Sequence, residues 1–406
     1  MRYFTMNYPG ILLSLWAATC FAAELAAQGV PSTNFKSRLT QVNGLLITPL
    51  PSGKQAGAVT RISLTALSVP GQSQSEIKFN QSVGDDMQKA LHEVNKFSQL
   101  RHNGWPGGHA IEIGFAEKYV PKDGPSAAVA CALLLEAAIT GKAWDPAFAV
   151  TGDMNADGSV QPIGGVQAKI RGATKGACKI VAVPVKNEKS VADVLVLEGP
   201  MPLVAITVFG ISTFEDALLL ADLERPQTLK FALTDFDNMR NVMMSDPRRI
   251  TDLLKTPHAV QRMQALLTAA PNCYSAKYLL MHVQGRGPRA LSLGGSIDAA
   301  QERAAALIQA VDRDINTTLT TLKGDELGDN IFHLRKVRPI LDNRVWPYVD
   351  RLMDYGEEVR KLIKNPPRGD KLLYEMISKA KMAGTAADQA FKKLMSDPIV
   401  IEELGD

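Results

Sequence analysis

This sequence of 406 residues has few cysteines, a small net charge and no phosphate-binding loop motif. The four cysteines (Cys20, Cys131, Cys178 and Cys273) lack metal-ligand spacing, so we expect neither a disulfide framework nor a metal site. A formal net charge of +3, without any run of Lys or Arg, argues against a nucleic-acid partner. No G-x-x-x-x-G-K-[ST] segment occurs, which excludes the phosphate-binding loop of an ATPase. What remains is an ordinary globular composition with length for two or three domains.

The apolar segment near the N-terminus is too short to span a membrane comfortably. It reads ILLSLWAATCFAA at residues 11–23, with Arg2 before it and small residues after it. This layout is typical of a secretory signal peptide, which we assign to residues 1–27 with cleavage between Ala22 and Ala27. The alternative is a buried N-terminal helix. We therefore expect a secreted or periplasmic protein, with a linker at residues 28–36.

Two halves with different hydrophobic patterns follow the linker. Residues 37–224 alternate strand-like runs such as GLLITPL, AVTRISLTAL, HAIEIGFA, KIVAVPV and PLVAITVFGI with helical ones. In residues 225–406 the strand-like runs end, and long amphipathic patterns such as NRVWPYVDRLMDYGEEVRKLIK take their place. The predicted fold class is an α/β (α+β) domain followed by an all-α C-terminal domain, each with its own core.

A single serine marks the junction between a charged turn and an apolar helix in PKDGPSAAVACALLLEAA, residues 121–138. Ser126 is either the N-cap of that helix, accepting an amide hydrogen bond, or a nucleophile at the positive end of the helix dipole. Downstream, a Gly-Gly turn in PIGGVQAK opens a second helix, and Lys169 lies one turn inside it. The apolar positions Val166, Ile170 and Ala173 indicate that Lys169 faces packed surface.

Three segments together resemble the proteolytic domain of the Lon protease family. They are PKDGPSA with Ser126, VTGD with Thr151, and PIGGVQAK with Lys169, and the 43-residue separation of Ser126 and Lys169 suits that family. The resemblance covers residues 37–223 and implies a Lon-type fold, a serine endopeptidase acting on polypeptides, and a homo-oligomer, a hexamer in that family. It also implies that Ser126 is the nucleophile, Lys169 its base, and Thr151 a residue that orients the lysine amine.

The chemistry of a Ser-Lys pair accounts for these residue types. A serine hydroxyl needs an adjacent base, and a lysine can act as one only when burial or positive potential lowers its pKa. The apolar helix after Ser126 offers dry surroundings, and its positive end suits a developing oxyanion. Asp123, Gly124 and Pro125 are expected to support the site by shaping the loop before the serine. Where many relatives carry a His-x-His pair, this chain has Glu112, Ile113 and Gly114, so no auxiliary histidine is expected.

Three alternatives compete with this interpretation. DMNADG at residues 153–158 begins like a calcium loop, but Gly164 stands where that loop needs a glutamate, which favours a plain Asp-Gly turn. A Ser-His-Asp triad using His92, His102, His109 or His258 would lack the G-x-S-x-G elbow. A catalytically weak domain acting as a binding or assembly scaffold is the last alternative. We expect an exported endopeptidase that needs no cofactor, metal or ATP and cuts peptides or unfolded proteins.

Overall fold

The computed structural model describes residues 35–50, 55–71, 73–104, 106–120, 122–311, 313 and 315–405. The predicted signal peptide and all but the last two residues of the predicted linker lie outside the described residues. Within the described part of the chain, no helix is both long enough and apolar enough to cross a membrane.

A seven-stranded mixed sheet forms the centre of the N-terminal half. Its strand order is β3-β4-β2-β1-β5-β8-β9, and β6 and β7 form a separate two-stranded hairpin. The described strands are β1 (Leu39–Pro49), β2 (Gln55–Ser68), β3 (Glu76–Phe79), β4 (His109–Phe115), β5 (Phe148–Val150), β6 (Asp153–Met154), β7 (Val160–Gln161), β8 (Ile180–Pro184) and β9 (Thr207–Ile211). Strands β1, β2 and β4 pair antiparallel, whereas β5, β8 and β9 continue the sheet in parallel from β1.

The parallel strands are short and apolar because both of their faces are covered. The sequences FAV, IVAVP and TVFGI are buried at every position, as expected for parallel strands between helical layers. Strand β1 is much longer than its parallel partner, and only Asn43 and Gly44 pair with β5. The second half of β1 therefore extends past the end of β5, toward Thr151 and the loop that follows.

Six helices accompany the sheet: α1 (Asp85–Arg101), α2 (Ala128–Thr140), α3 (Val166–Lys175), α4 (Glu188–Glu198), α5 (Met201–Ala205) and α6 (Phe214–Ala221). Helix α2 packs on β1 and β2 and is buried from Ala128 to Ile139, which explains why its sequence lacks a polar face. Helix α3 packs on β1, β2 and β8 and has one polar face. The run PLVAITVFGI was predicted as strand, but its first part is helix α5, which begins beside Pro200, and only residues 207–211 form β9.

The remaining helices of the described residues are α7 (Gln227–Ser245), α8 (Ile250–Leu254), α9 (Pro257–Ala269), α10 (Tyr274–Val283), α11 (Leu293–Arg303), α12 (Ala305–Val311), α13 (Ile315–Thr321), α14 (Gly324–Val337), α15 (Trp346–Lys364), α16 (Asp370–Met395) and α17 (Pro398–Gly405). A mixed sheet followed by helices alone confirms the predicted fold class. The helices bury two separate cores. The first core runs from Phe35 to Leu279 and includes α7 to α10, and the second runs from Leu291 to Val400. The break between cores thus lies downstream of the predicted boundary at residue 224.

The start of α10 covers the outer edge of strand β9. The Gly210 amide donates to the Asn272 carbonyl at 2.9 Å, and the Asn272 side chain donates back to the Gly210 carbonyl at 2.7 Å. The Ser275 hydroxyl accepts from the Val208 amide at 2.9 Å and donates to the Ile206 carbonyl at 2.8 Å. These bonds satisfy backbone groups of β9 that no further strand pairs with in the described sheet.

Candidate active site

Ser126 lies in a single 3-10 turn, Pro125–Ala127, that joins a surface loop to α2. The helix begins at Ala128, one residue later than a Ser126 N-cap would place it, and neither the turn nor the helix has a side-chain cap. The interpretation of Ser126 as an N-cap is therefore wrong. Its side chain is half-buried at the point where the loop enters the apolar layer, with the positive end of a 13-residue helix beside it.

Lys169 is buried on the apolar face of α3, as the pattern of Val166, Ile170 and Ala173 predicted. Only 3% of its surface is exposed, and its Nζ donates to the Thr151 hydroxyl at 3.0 Å. Among the described residues this ammonium has no carboxylate partner within 4.0 Å. Burial consequently lowers the pKa of Lys169 to about 8, so that about a tenth of the amine is neutral at pH 7.

Thr151 connects the lysine to the serine through one hydroxyl. It follows β5, is fully buried, and accepts a hydrogen bond from Lys169. The same hydroxyl donates to the Ser126 carbonyl at 3.2 Å, and the Gly152 amide donates to that carbonyl at 2.9 Å. The end of β5 thereby fixes both the backbone of Ser126 and the amine of Lys169.

A cavity of about 140 Å³ opens beside these residues, and we refer to it as the Ser126 cavity. The apolar wall comes mainly from β1 and β2, with contributions from α1 and the end of β4. Its lining residues are Leu45, Leu46, Ile47, Thr48, Thr60, Ile62, Met87, Phe115, Val120, Lys122, Asp123, Ser126, Ala127 and Lys169. The described lining contains a serine, two lysines and one carboxylate but no histidine.

Asp123, Gly124 and Pro125 shape the loop before the serine. The exposed Asp123 carboxylate accepts from the amide of Gly124 at 2.7 Å, which stabilises the turn. Gly124 has φ of +89°, a conformation that favours glycine, and Pro125 opens the 3-10 turn. These three residues thus set the course of the chain into Ser126, and their supporting role in catalysis stays a prediction.

Close backbone packing sets the position of Lys169. Helix α3 lies so near β2 that a Cβ at Gly57 would be 1.7 Å from the Ala168 carbonyl oxygen and 3.0 Å from the Lys169 amide. A Cβ at Gly172 would similarly be 2.4 Å from the backbone of Gly57. The two glycines allow α3 to approach the sheet until its lysine reaches Thr151. The sequence alone does not reveal their role, because nothing local in β2 signals this close approach.

Lys122 and Thr60 also line the cavity and were not predicted from the sequence. Lys122 is 4% exposed, and Thr60 is 1% exposed on β2. A lysine one residue before Asp123 read as part of a charged surface loop, and its burial follows from the tertiary packing of that loop. Thr60 carries no sequence signal beyond strand propensity.

The competing motifs lie elsewhere. Residues 153–161 form the β6–β7 hairpin, in which Asp157 accepts from the Ser159 amide at 2.9 Å, as predicted for an Asp-Gly turn. His102 is 3.0 Å from Glu136, and His109 contacts the Gly107 carbonyl at 2.7 Å. His92 and His258 are exposed, so the described histidines lie outside the Ser126 cavity.

Comparison with known proteins identifies the domain that contains this cavity. The family model of the Lon protease (S16) C-terminal proteolytic domain matches residues 35–202. The chain contains a Lon-type proteolytic domain, which this model matches over those residues. The match includes Ser126, Thr151 and Lys169 and confirms the resemblance seen in the three sequence segments.

The curated relatives are named Lon proteases, and this chain matches only part of each. A Lon protease of Methanosarcina barkeri is 42% identical over 84 residues, which are 21% of this chain and 10% of that protein. Lon protease 1 of Bacillus subtilis is 32% identical over 160 residues, 34% of this chain and 20% of that protein. A Lon protease of Buchnera aphidicola is 26% identical over 197 residues, 47% of this chain and 23% of that protein. The matches thus span about a tenth to a quarter of these relatives.

Proposed function

We propose that this protein is a serine endopeptidase in which Ser126 is the nucleophile and Lys169 the general base. The observation that carries the proposal is the environment of Lys169. Its amine is buried, is bonded to the Thr151 hydroxyl, and lines the same cavity as Ser126. A lysine that merely stabilised the fold would be expected to pair with a carboxylate, whereas a base must spend time uncharged.

The proposed reaction follows from the placement of these groups. Neutral Lys169 takes the proton of the Ser126 hydroxyl while its oxygen attacks the scissile carbonyl carbon, which gives a tetrahedral oxyanion. The positive end of α2 lies beside Ser126 and favours that negative charge. The intermediate collapses to an acyl-enzyme as the amine leaves with the proton from Lys169. Water then attacks the ester as Lys169 accepts its proton. The second tetrahedral intermediate releases the carboxylic acid product, and the Ser126 oxygen takes the proton back from Lys169.

Thr151 is proposed to hold the amine between these steps. Its hydroxyl accepts a hydrogen bond from Lys169 while donating to the Ser126 carbonyl. That arrangement orients the nitrogen lone pair without adding a negative charge, which would raise the lysine pKa. Thr151 is therefore a positioning residue in this mechanism.

Polypeptides, either short peptides or unfolded chains, are the proposed substrates. The relatives are named Lon proteases, and the Ser126 cavity has the apolar lining that an amino-acid side chain would enter. Proteolysis without ATP is proposed because the given sequence has no phosphate-binding loop. Export through residues 1–27 and assembly into a homo-oligomer, such as a hexamer, complete the proposal.

Casein digestion by the mature protein tests the mechanism. We expect Ser126→Ala and Lys169→Ala each to reduce the rate by about 10⁴-fold or more, because nucleophile and base act as one unit. Lys175→Ala is the matched control, since Lys175 lies on the same helix but is exposed. Full activity in either cavity variant, with folding retained, would refute the mechanism.

The same assay tests the energy requirement and the scaffold alternative. Added ATP and Mg²⁺ should leave the rate unchanged, and a several-fold stimulation that a non-hydrolysable analogue fails to reproduce would contradict ATP independence. A folded wild-type protein that binds casein without cleaving it, and that no fluorophosphonate labels at Ser126, would instead support a scaffold.

A further inference from the structure

Lys122 is a second buried lysine in the Ser126 cavity, and the proposed mechanism does not use it. Its Nζ donates to the Glu117 carbonyl at 3.1 Å and to the Val120 carbonyl at 3.0 Å. The ammonium also lies 5.8 Å from the centre of the Phe115 ring, within range of a cation–π contact. Lys122 thus contacts two carbonyls and an aromatic face, which all favour its charged form.

This environment separates Lys122 from Lys169. Burial lowers the pKa of Lys122, while the nearby Glu117 carboxylate opposes that effect. Lys169, by contrast, has a hydroxyl partner and no opposing carboxylate in its surroundings. The two lysines of this cavity therefore differ in chemistry. The environment of Lys169 suits a base, whereas that of Lys122 suits a hydrogen-bond donor.

The two carbonyls that Lys122 binds, those of Glu117 and Val120, belong to the segment 116–120, which brings Val120 to the cavity and which we call the wall. Val120 lines the cavity directly, and Tyr119 beside it is 94% exposed. The segment is held at its start by the Ala116 amide, which donates to the Arg61 carbonyl at 2.9 Å. The Thr60 hydroxyl donates to the Glu117 carboxylate at 2.5 Å. Every residue from 116 to 120 is exposed to solvent, so these few bonds determine where the wall stands.

We propose that Lys122 is a positioning residue for the substrate. Its hydrogen bonds hold the segment 116–120 in place, and a substrate side chain binds against this wall of the cavity. Lys122 lines the cavity together with Val120, and the next residues of the chain lead through Asp123 to Ser126. Without the two bonds to carbonyls, the wall is free to move away from the cavity. This inference rests on the proposed peptidase function for its kinetic readout.

Lys122→Met tests the inference, because methionine keeps most of the side-chain volume but donates no hydrogen bond. We expect KM for an apolar peptide substrate to rise by about tenfold, the effect of losing one to two hydrogen bonds in a binding wall. The rate at which a small fluorophosphonate labels Ser126 should stay within about threefold, since that probe does not need the wall. Lys255→Met is the matched control, because Lys255 is exposed and lies outside both the cavity lining and the segment 116–120.

Hydrogen exchange gives a readout that does not require activity. Peptides covering residues 112–124 should exchange about fivefold or more faster in Lys122→Met than in wild type or Lys255→Met, whereas peptides of α3 should not change. Thr60→Val, which removes the bond to Glu117 and leaves the lysine intact, should raise KM in the same direction. This second variant supplies the test if Lys122→Met does not fold.

The outcomes separate the inference from the function on which it rests. Unchanged KM in an active Lys122→Met protein, or unchanged exchange in residues 112–124, overturns the positioning role. A parallel fall in peptide cleavage and fluorophosphonate labelling also overturns it, since that result indicates general damage. A wild type that cleaves nothing overturns the proposed function, and the exchange data then still decide whether Lys122 holds the wall.

Discussion

Replacing Lys169 by methionine should make the protein more stable while abolishing its activity. The lysine is almost fully buried, and its only polar partner among the described residues is the Thr151 hydroxyl. Keeping an ammonium in that position disfavours the folded state, which is what a folded-state pKa of about 8 in place of 10.5 expresses. Methionine has a similar shape and needs no hydration.

The magnitude follows from the difference between the two pKa values. At about 1.4 kcal/mol for each tenfold change in proton affinity, the charged lysine costs the fold about 3 kcal/mol at pH 7. The variant loses the hydrogen bond to Thr151, which offsets about 1 kcal/mol of the gain. A net stabilisation of about 2 kcal/mol corresponds to a rise in Tm of about 4–8 °C for a unit of this size.

The pH dependence distinguishes this effect from ordinary repacking. A lysine whose folded-state pKa is lowered destabilises the fold fully below pH 8, and the penalty disappears as the pH rises from 8 to 10.5. The gain in free energy of unfolding that Lys169→Met brings should therefore be constant from pH 6 to 7.5 and smaller at pH 9.5. Thermal melts followed by circular dichroism at pH 6.5, 8 and 9.5 measure it.

Two controls make the measurement decisive. The Lys169→Met variant and its parent both carry Ser126→Ala, which removes self-cleavage during heating. As the second control, Lys175→Met on the exposed side of α3 should change the free energy of unfolding by less than about 0.5 kcal/mol. A Lys169→Met protein that melts below its parent at pH 7 would refute the reasoning. A difference in stability between Lys169→Met and its parent that is the same at pH 6.5 and pH 9.5 would also refute it.

Three further predictions concern the same site and its support. If Lys169 is the base, kcat/KM should rise with pH along a curve of apparent pKa near 8, and a flat profile from pH 6.5 to 9.5 would contradict the assignment. Gly57→Ala should lower kcat by about 100-fold without changing the cavity side chains, because it displaces α3. A fragment of residues 35–288 should melt cooperatively and cleave peptides, whereas one ending at 224 should show no cooperative transition, since Phe236 and its neighbours complete the first core. Calorimetry of both fragments checks this, and equal cooperativity would refute it.

The sequence predicted those features that depend on local pattern. Strand-like runs, the apolar helix after Ser126 and the buried side of α3 all follow from the period of apolar residues. The expectation that Ser126 and Lys169 share one site came from the resemblance of three segments to the Lon protease family, which their 43-residue separation suits. The run at residues 202–211 was predicted as one strand because apolar periodicity alone cannot separate a short buried helix from a strand.

Features that depend on tertiary contact could not be predicted. The helix after the serine begins at Ala128 because a 3-10 turn precedes it. The helix propensities of these residues do not distinguish a 3-10 turn from the first turn of an α-helix. An amphipathic pattern shows that a helix buries one face but not which partner covers it, so the packing of α7 to α10 in the first core was beyond sequence reasoning. The burial of Lys122 likewise depends on the fold of its loop.

The cover on strand β9 has a consequence for the synthesis of this protein. TVFGI is an uncharged, strongly strand-forming sequence, and an open edge with that composition pairs readily with other chains. The segment that covers this edge ends at Ser275, about 60 residues after Ile211. A ribosome adds that many residues in about 3–12 s. During that interval the nascent sheet has an unprotected edge. Yield in cells should then depend on translation speed between these two segments, and slow codons there should increase inclusion-body formation without altering the finished protein.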